Sequence, residues 1–92
     1  MIPLPPECRP RLAPGARLQF DQARDRWVLL APERLLVPDD IALDILKRCD
    51  GERSLSGIVD DLASAYDADR SVVDADVQEL LADLMAKRVL VT

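Results

Sequence analysis

The chain reads as an α+β domain of winged-helix-like form, a three-stranded antiparallel sheet followed by a three-helix bundle containing a helix-turn-helix. Three observations predict it. Residues 16–37 alternate apolar and polar side chains in short runs broken by turn residues, the strand pattern. Residues 39–87 repeat apolar side chains at i, i+3, i+4 and i+7, the helix pattern. Strands gathered before helices, rather than alternating with them, indicate α+β.

The strands come first. In ARLQF, Leu18 and Phe20 share one face and Arg17 and Gln19 the other; DQARD is a polar turn. RWVLL, 26–30, is rich in β-formers. Pro32 suits an early position in the turn Ala31–Arg34, and Leu35-Leu36-Val37 is a third, very short strand ended by Pro38. Short connections favour an antiparallel meander, whose outer strands are edges carrying unpaired backbone donors and acceptors.

Three helices follow, expected near 40–49, 54–66 and 71–87. Asp39 caps the first, whose apolar face carries Ile41, Ile45, Leu46 and Cys49. Gly51 suits the left-handed position beyond its end, and Ser54 caps the second. There Leu55, Ile58, Val59, Leu62, Ala63 and Tyr66 keep the best helical spacing in the chain. Two helices joined around a glycine form the helix-turn-helix. Ser71-Val72-Val73-Asp74 resembles a capping box opening the third helix, with Val73, Val77, Leu80, Leu81 and Leu84 as its stripe. Lys87 and Arg88 fall in its last turn, where cations suit the dipole. Val89-Leu90-Val91 is an extended apolar tail.

Residues 1–14 hold five of the seven prolines. Proline lacks the backbone donor and fixes φ, so this arm is neither helix nor central strand. It is expected to be extended or disordered unless something docks it, with Ile2, Leu4 and Leu12 as weak anchors. Residues 15–92 form the single domain, large enough for one modest core.

Composition excludes several kinds of chemistry. The chain has no histidine, which removes His-activated nucleophiles and His metal ligands. Its three glycines stand alone, so no phosphate loop exists. Cys8 and Cys49 are far apart in sequence and read as two reduced thiols, Cys49 as a small core residue. Pairs such as Asp39-Asp40 and Asp60-Asp61 read as surface charge. Neither catalytic residues, nor a metal site, nor a cofactor site is indicated. No apolar run reaches the roughly 20 residues of a membrane span. MIPLPPECRP lacks the form of a secretory signal, which makes the cytoplasm the expected compartment.

Net charge is −5 and uneven. Residues 1–48 hold eight Arg/Lys against seven Asp/Glu, and residues 49–92 four against ten. Asp74, Asp76, Glu79 and Asp83 on the third helix oppose phosphate, so DNA binding would rest on Arg17, Arg24, Arg26 and Arg34 alone. DNA binding and a structural dimerisation module remain as alternatives to a peptide-binding role.

The run RWVLLAPERLLV, the segment ILKRCDGERS, then IVDDLASAY and DVQELLADLMAKRVL closely resemble the PqqD family of pyrroloquinoline quinone biosynthesis, in order and spacing, over about residues 15–91. Pro38-Asp39 departs from the Leu-Asn usual in relatives, although Asp39 keeps the capping role. The resemblance implies a peptide chaperone without chemistry of its own. Such a protein holds the precursor peptide PqqA and presents it to PqqE, a radical S-adenosylmethionine enzyme that links a Glu and a Tyr of the peptide.

Physical chemistry offers a matching site. An extended peptide can add to an open sheet edge through backbone hydrogen bonds. The expected site is the third strand, Arg34, Leu35, Leu36 and Val37, walled by Asp76, Leu80 and Asp83 of the third helix. The free edges also make a weak dimer conceivable, and a monomer or weak homodimer is expected.

Overall fold

The computed structural model describes residues 3–92, so Ile2 lies outside the described residues. The elements run β1 (Arg11–Leu12), β2 (Arg17–Asp21), β3 (Arg26–Ala31), β4 (Arg34–Leu36), α1 (Asp40–Lys47), α2 (Leu55–Ala65), α3 (Arg70–Ala86) and β5 (Leu90–Val91). β2, β3 and β4 form the antiparallel meander, with β3 central. The α+β, winged-helix-like arrangement is therefore present.

A second, two-stranded sheet pairs β1 with β5, Arg11 opposite Val91 and Leu12 opposite Leu90. Nothing local signals this pairing, because its partners stand at opposite ends of the chain. The proline arm runs along the helices, turning at Pro6-Glu7 where Cys8 N–H donates to Pro5 C=O (3.1 Å), and several of its carbonyls are bonded by the helical layer. Leu55 N–H donates to Cys8 C=O (2.8 Å), Ser56 N–H to Pro6 C=O (2.9 Å) and Gly51 N–H to Pro10 C=O (3.0 Å). Prolines still accept, so an arm poor in donors serves as a row of carbonyls. Farther along, Gln78 of α3 grips Leu4 twice. It accepts from Leu4 N–H (2.8 Å) and donates from Nε2 to Leu4 C=O (3.1 Å).

Each helix starts at a carboxylate or hydroxyl. Asp39 accepts from Ala42 N–H (2.8 Å), and Ser54 from Gly57 N–H (3.1 Å). The third cap is Asp69 rather than Ser71. Its carboxylate accepts from both Ser71 N–H (2.9 Å) and Ser71 Oγ (2.8 Å), so the serine supports the cap from inside the first turn. At the other end Arg88 lies beyond α3, left-handed at φ 62, and Val89 N–H closes on Leu84 C=O. Gly51, at φ 80, sits where an added Cβ would meet the Arg11 side chain at 3.3 Å, so glycine lets the helix-turn-helix corner and the arm touch. In that corner Asp50 Oδ1 accepts from Glu52 N–H and Arg53 N–H, both at 2.9 Å.

The core joins Ile45, Leu46 and Cys49 with Leu55, Ile58, Val59 and Leu62, Val77, Leu81 and Leu84, the tail residues Val89 and Leu90, and Leu29 of the sheet. Tail and arm pack on this core through Val89, Leu90, Leu4, Cys8 and Leu12. Ile41, expected on the buried face of α1, is instead largely exposed, as is Tyr66 at the end of α2. Cys49 donates from Sγ to Ile45 C=O (3.2 Å), and burial pushes its thiol up to about 12. It is a free core thiol, as is the half-buried Cys8. The sheet meets α1 again where the Lys47 ammonium stands 4.9 Å over the Trp27 ring, itself packed edge-on against Phe20.

Candidate functional site

The register decides which backbone groups β4 leaves open. Only Pro32 and Glu33 separate the paired residues Ala31 and Arg34, a two-residue hairpin loop, and the pair flanking such a loop exchanges hydrogen bonds. Bonded and non-bonded pairs then alternate. Leu29 and Leu36 are bonded, whereas Leu30 and Leu35 are not. The N–H and C=O of Leu35 therefore point away from β3. β4 is the outer strand, so these groups face the open edge. Leu36 N–H faces inward, and its side chain packs against the core cluster. The donor available to a docking strand thus belongs to Leu35.

Beside that edge lies a groove of about 230 Å³. One wall is Leu36, Val37 and Pro38; the other is Leu80, Asp83, Leu84 and Lys87 of α3; Leu29, Ala42 and Leu46 lie between. Four of the seven sequence-expected residues, Leu36, Val37, Leu80 and Asp83, thus meet in one concavity. Arg34 and Leu35 are exposed on the strand just outside it. Asp76 stands two helical turns from Asp83 on an adjoining open strip with Glu79, Leu80 and Ala82. The residues sequence reasoning missed are Leu29 of β3, Pro38 and Asp39 after β4, Ala42 and Leu46 of α1, and Leu84 and Lys87 at the end of α3. Leu84 and Lys87 were discoverable, because they continue the Leu80 stripe at i+4 and i+7. The α1 contribution had no local signal.

The site's chemistry is that of recognition. One wall offers backbone donors and acceptors, the floor is apolar, and the rim is acidic. Asp83 is bonded to Lys87 Nζ at 2.8 Å, an exposed pair worth under about 1 kcal/mol that a cationic ligand could displace. Arg48 fixes the α1 end of the helical layer, donating from Nε to Asp61 of α2 (2.6 Å) and from Nη1 to the Asp44 carbonyl (2.9 Å). That hydrogen bond, with the Arg48 charge, holds the Asp61 carboxyl below its usual range. The acidic α3 face would repel a phosphate backbone, which weighs against the DNA-binding alternative.

These features define a winged-helix-like domain with an open strand edge beside its last helix, and solved structures share its fold. Residues 26–90 match the family described as "Coenzyme PQQ synthesis protein D (PqqD)". A "PqqA binding protein" of Rhodopseudomonas palustris (strain BisB5) is 56% identical over 79 residues, covering 86% of this chain and 78% of the relative. A protein of the same description from Xanthomonas oryzae pv. oryzae (strain PXO99A) is 54% identical and covers 89% of each. The chain belongs to the PqqD family. Among solved structures, the PqqD truncation of Methylobacterium extorquens PqqCD superposes with a TM-score of 0.76 at 47% identity, covering 90% of this chain and 88% of that one. It is described as a functional, stand-alone recognition element for ribosomally synthesized and post-translationally modified peptides. The crystal structure of PqqD from Xanthomonas campestris gives 0.62 at 52% identity, covering 88% and 90%.

Proposed function

We propose that this chain is a peptide chaperone of pyrroloquinoline quinone biosynthesis. It binds the precursor peptide PqqA as an added strand and presents it to the radical S-adenosylmethionine enzyme PqqE. The observation that carries the reading is the open backbone of Leu35 beside the groove between β4 and α3. Strand addition supplies affinity without demanding particular side chains, and the groove and acidic rim select among them. The helical wall stands at the β4 edge, where Leu80, Asp83, Leu84 and Lys87 line the groove. The relatives named for PqqA binding support the ligand. On this reading the chain performs no chemistry, holds no cofactor, and works in the cytoplasm as a monomer or weak homodimer. Among the described residues no helix is long and apolar enough to cross a membrane.

Calorimetry of the chain against PqqA peptide, with and without PqqE, tests this. A saturable one-to-one isotherm is expected, with PqqE binding the loaded complex. Absence of peptide binding in both arms would overturn it.

A further inference from the structure

Three large apolar side chains that face water gather at one place. Ile41 of α1, Tyr66 just past α2 and Val72 of α3 are 59%, 49% and 56% exposed. They border a cavity of about 200 Å³ whose floor includes the buried Ile45, Leu62 and Val77. The Tyr66 hydroxyl donates to the Asp44 carboxylate, which holds the ring as a wall with its polar end turned to α1. The lining is almost wholly apolar, and its single charged residue is Asp76.

Asp76 also belongs to the open strip with Glu79, Leu80 and Asp83, and that strip shares Leu80 and Asp83 with the β4 groove. The three concavities therefore form one track along α3. The chain leaving β4 joins the two ends, since Val37 and Pro38 line the groove and Ile41 borders the cavity. From Leu84 to Val73 the helix rises roughly 16 Å at 1.5 Å per residue. About five residues of extended peptide cover that length at 3.3 Å each.

We propose that this cavity is a second anchor point for the same extended peptide, taking one large aliphatic or aromatic side chain about five residues from the segment paired with Leu35. A Lys or Arg between the two points would meet Asp76 and Glu79. The inference rests on the peptide-binding reading above and deepens it. Size favours a single side chain, because the cavity is below the roughly 300–1,000 Å³ of small-molecule sites. Charge favours the same ligand, since all the charged residues lining the connecting strip are acids. Continuity with the groove favours one peptide over a separate folded partner.

The test uses the intact chain, PqqA peptide and two substitutions at exposed positions, Val72→Asp and Ile41→Asp, with the milder Val72→Ser as a third. Melting curves near wild type establish that each is folded. Calorimetry is expected to show a loss of roughly 10- to 100-fold for the aspartates, the worth of burying one large apolar side chain, and less for serine. Methyl resonances of Ile41 and Val72 should shift when peptide is added to wild type. Serine replacement of each large apolar peptide residue in turn should find one whose loss is not additive with Val72→Asp.

Leu35→Pro, which removes the open N–H of β4, serves as the strand control: wild-type peptide affinity in both aspartate variants, with binding weakened in Leu35→Pro, would overturn the second anchor and leave the strand reading standing. Normal peptide affinity combined with weakened PqqE binding would assign the cavity to the enzyme and overturn it equally. No peptide binding by wild type would remove both readings.

Discussion

Neighbouring prolines in β4 should have opposite effects. Leu36→Pro deletes the N–H that faces the carbonyl of Leu29, and Leu29 is only 1% exposed. β4 is held to β3 by two bonded pairs, Ala31 with Arg34 and Leu29 with Leu36, so one half of its ladder is damaged. A buried carbonyl left without a partner costs about 1–3 kcal/mol, and the lost bond itself about 1 kcal/mol. A loss of at least ~2 kcal/mol lowers the melting temperature of a domain this size on the order of 8–16 °C. Leu35→Pro removes a donor that no strand uses in the free protein. Its side chain is 53% exposed, and proline is tolerated on strand edges, so stability should change by less than about 1 kcal/mol. With peptide bound, the same change strands a peptide carbonyl, costing about 1–3 kcal/mol, or roughly 5- to 150-fold in Kd. Circular-dichroism melts and calorimetry on both variants measure these quantities. A Leu35→Pro protein that binds PqqA like wild type would falsify docking on this edge. A Leu36→Pro protein that melts like wild type would refute the register from which both expectations come.

Leu62→Ala empties a buried position between α1, α2 and α3 and should cost roughly 2–5 kcal/mol in urea unfolding; an unchanged midpoint would show that Leu62 is not core. Acid should weaken the fold through carboxylates held below their usual range, Asp21 in the β2–β3 hairpin and three in the helical half. Asp50 accepts from the Arg53 and Glu52 N–H groups, Asp61 is bonded by Arg48, and Asp69 is bonded by the Ser71 hydroxyl and N–H. A depressed folded pKa gives stability that is full above the unfolded value near 3.8 and lost as pH falls through the folded values, so melting temperature should drop below about pH 4 and level off above it. Asp76→Lys with Asp83→Lys should slow peptide association and weaken binding most at low salt; unchanged rates and affinity at low salt would show that the acidic rim takes no part. Sedimentation at micromolar concentration should show a monomer or a weak dimer, and a tight obligate dimer would contradict this.

What could be read from the chain alone was whatever depends on neighbours in sequence. The meander followed from alternation around Leu18, Phe20 and RWVLL, and the helices from the spacing of Ile58, Val59 and Leu62, because both periods are local consequences of backbone geometry. Asp39 and Ser54 were recognisable caps because a cap bonds two or three residues ahead. Asp69 was hidden by Ser71, an equally good capping residue two positions later in the chain. Half of the site was legible for the same reason. A short Pro-bounded strand announces an edge, and an apolar stripe interrupted by acids announces a helical wall.

Tertiary structure alone decided the rest, since it depends on residues far apart in the chain meeting in space. The pairing of Arg11–Leu12 with Leu90–Val91, and the grip of Gln78 on Leu4, join segments whose composition says nothing of a partner. The choice of Leu35 over Leu36 as the open donor came from register, which shifts every side chain and every N–H when it moves by one residue. Ile41 and Tyr66 sat on stripes that looked buried, and Val72 lay beside one, in the first turn of α3. They remain exposed because residues of α1, α2 and α3 meet there around an open cavity rather than a closed core.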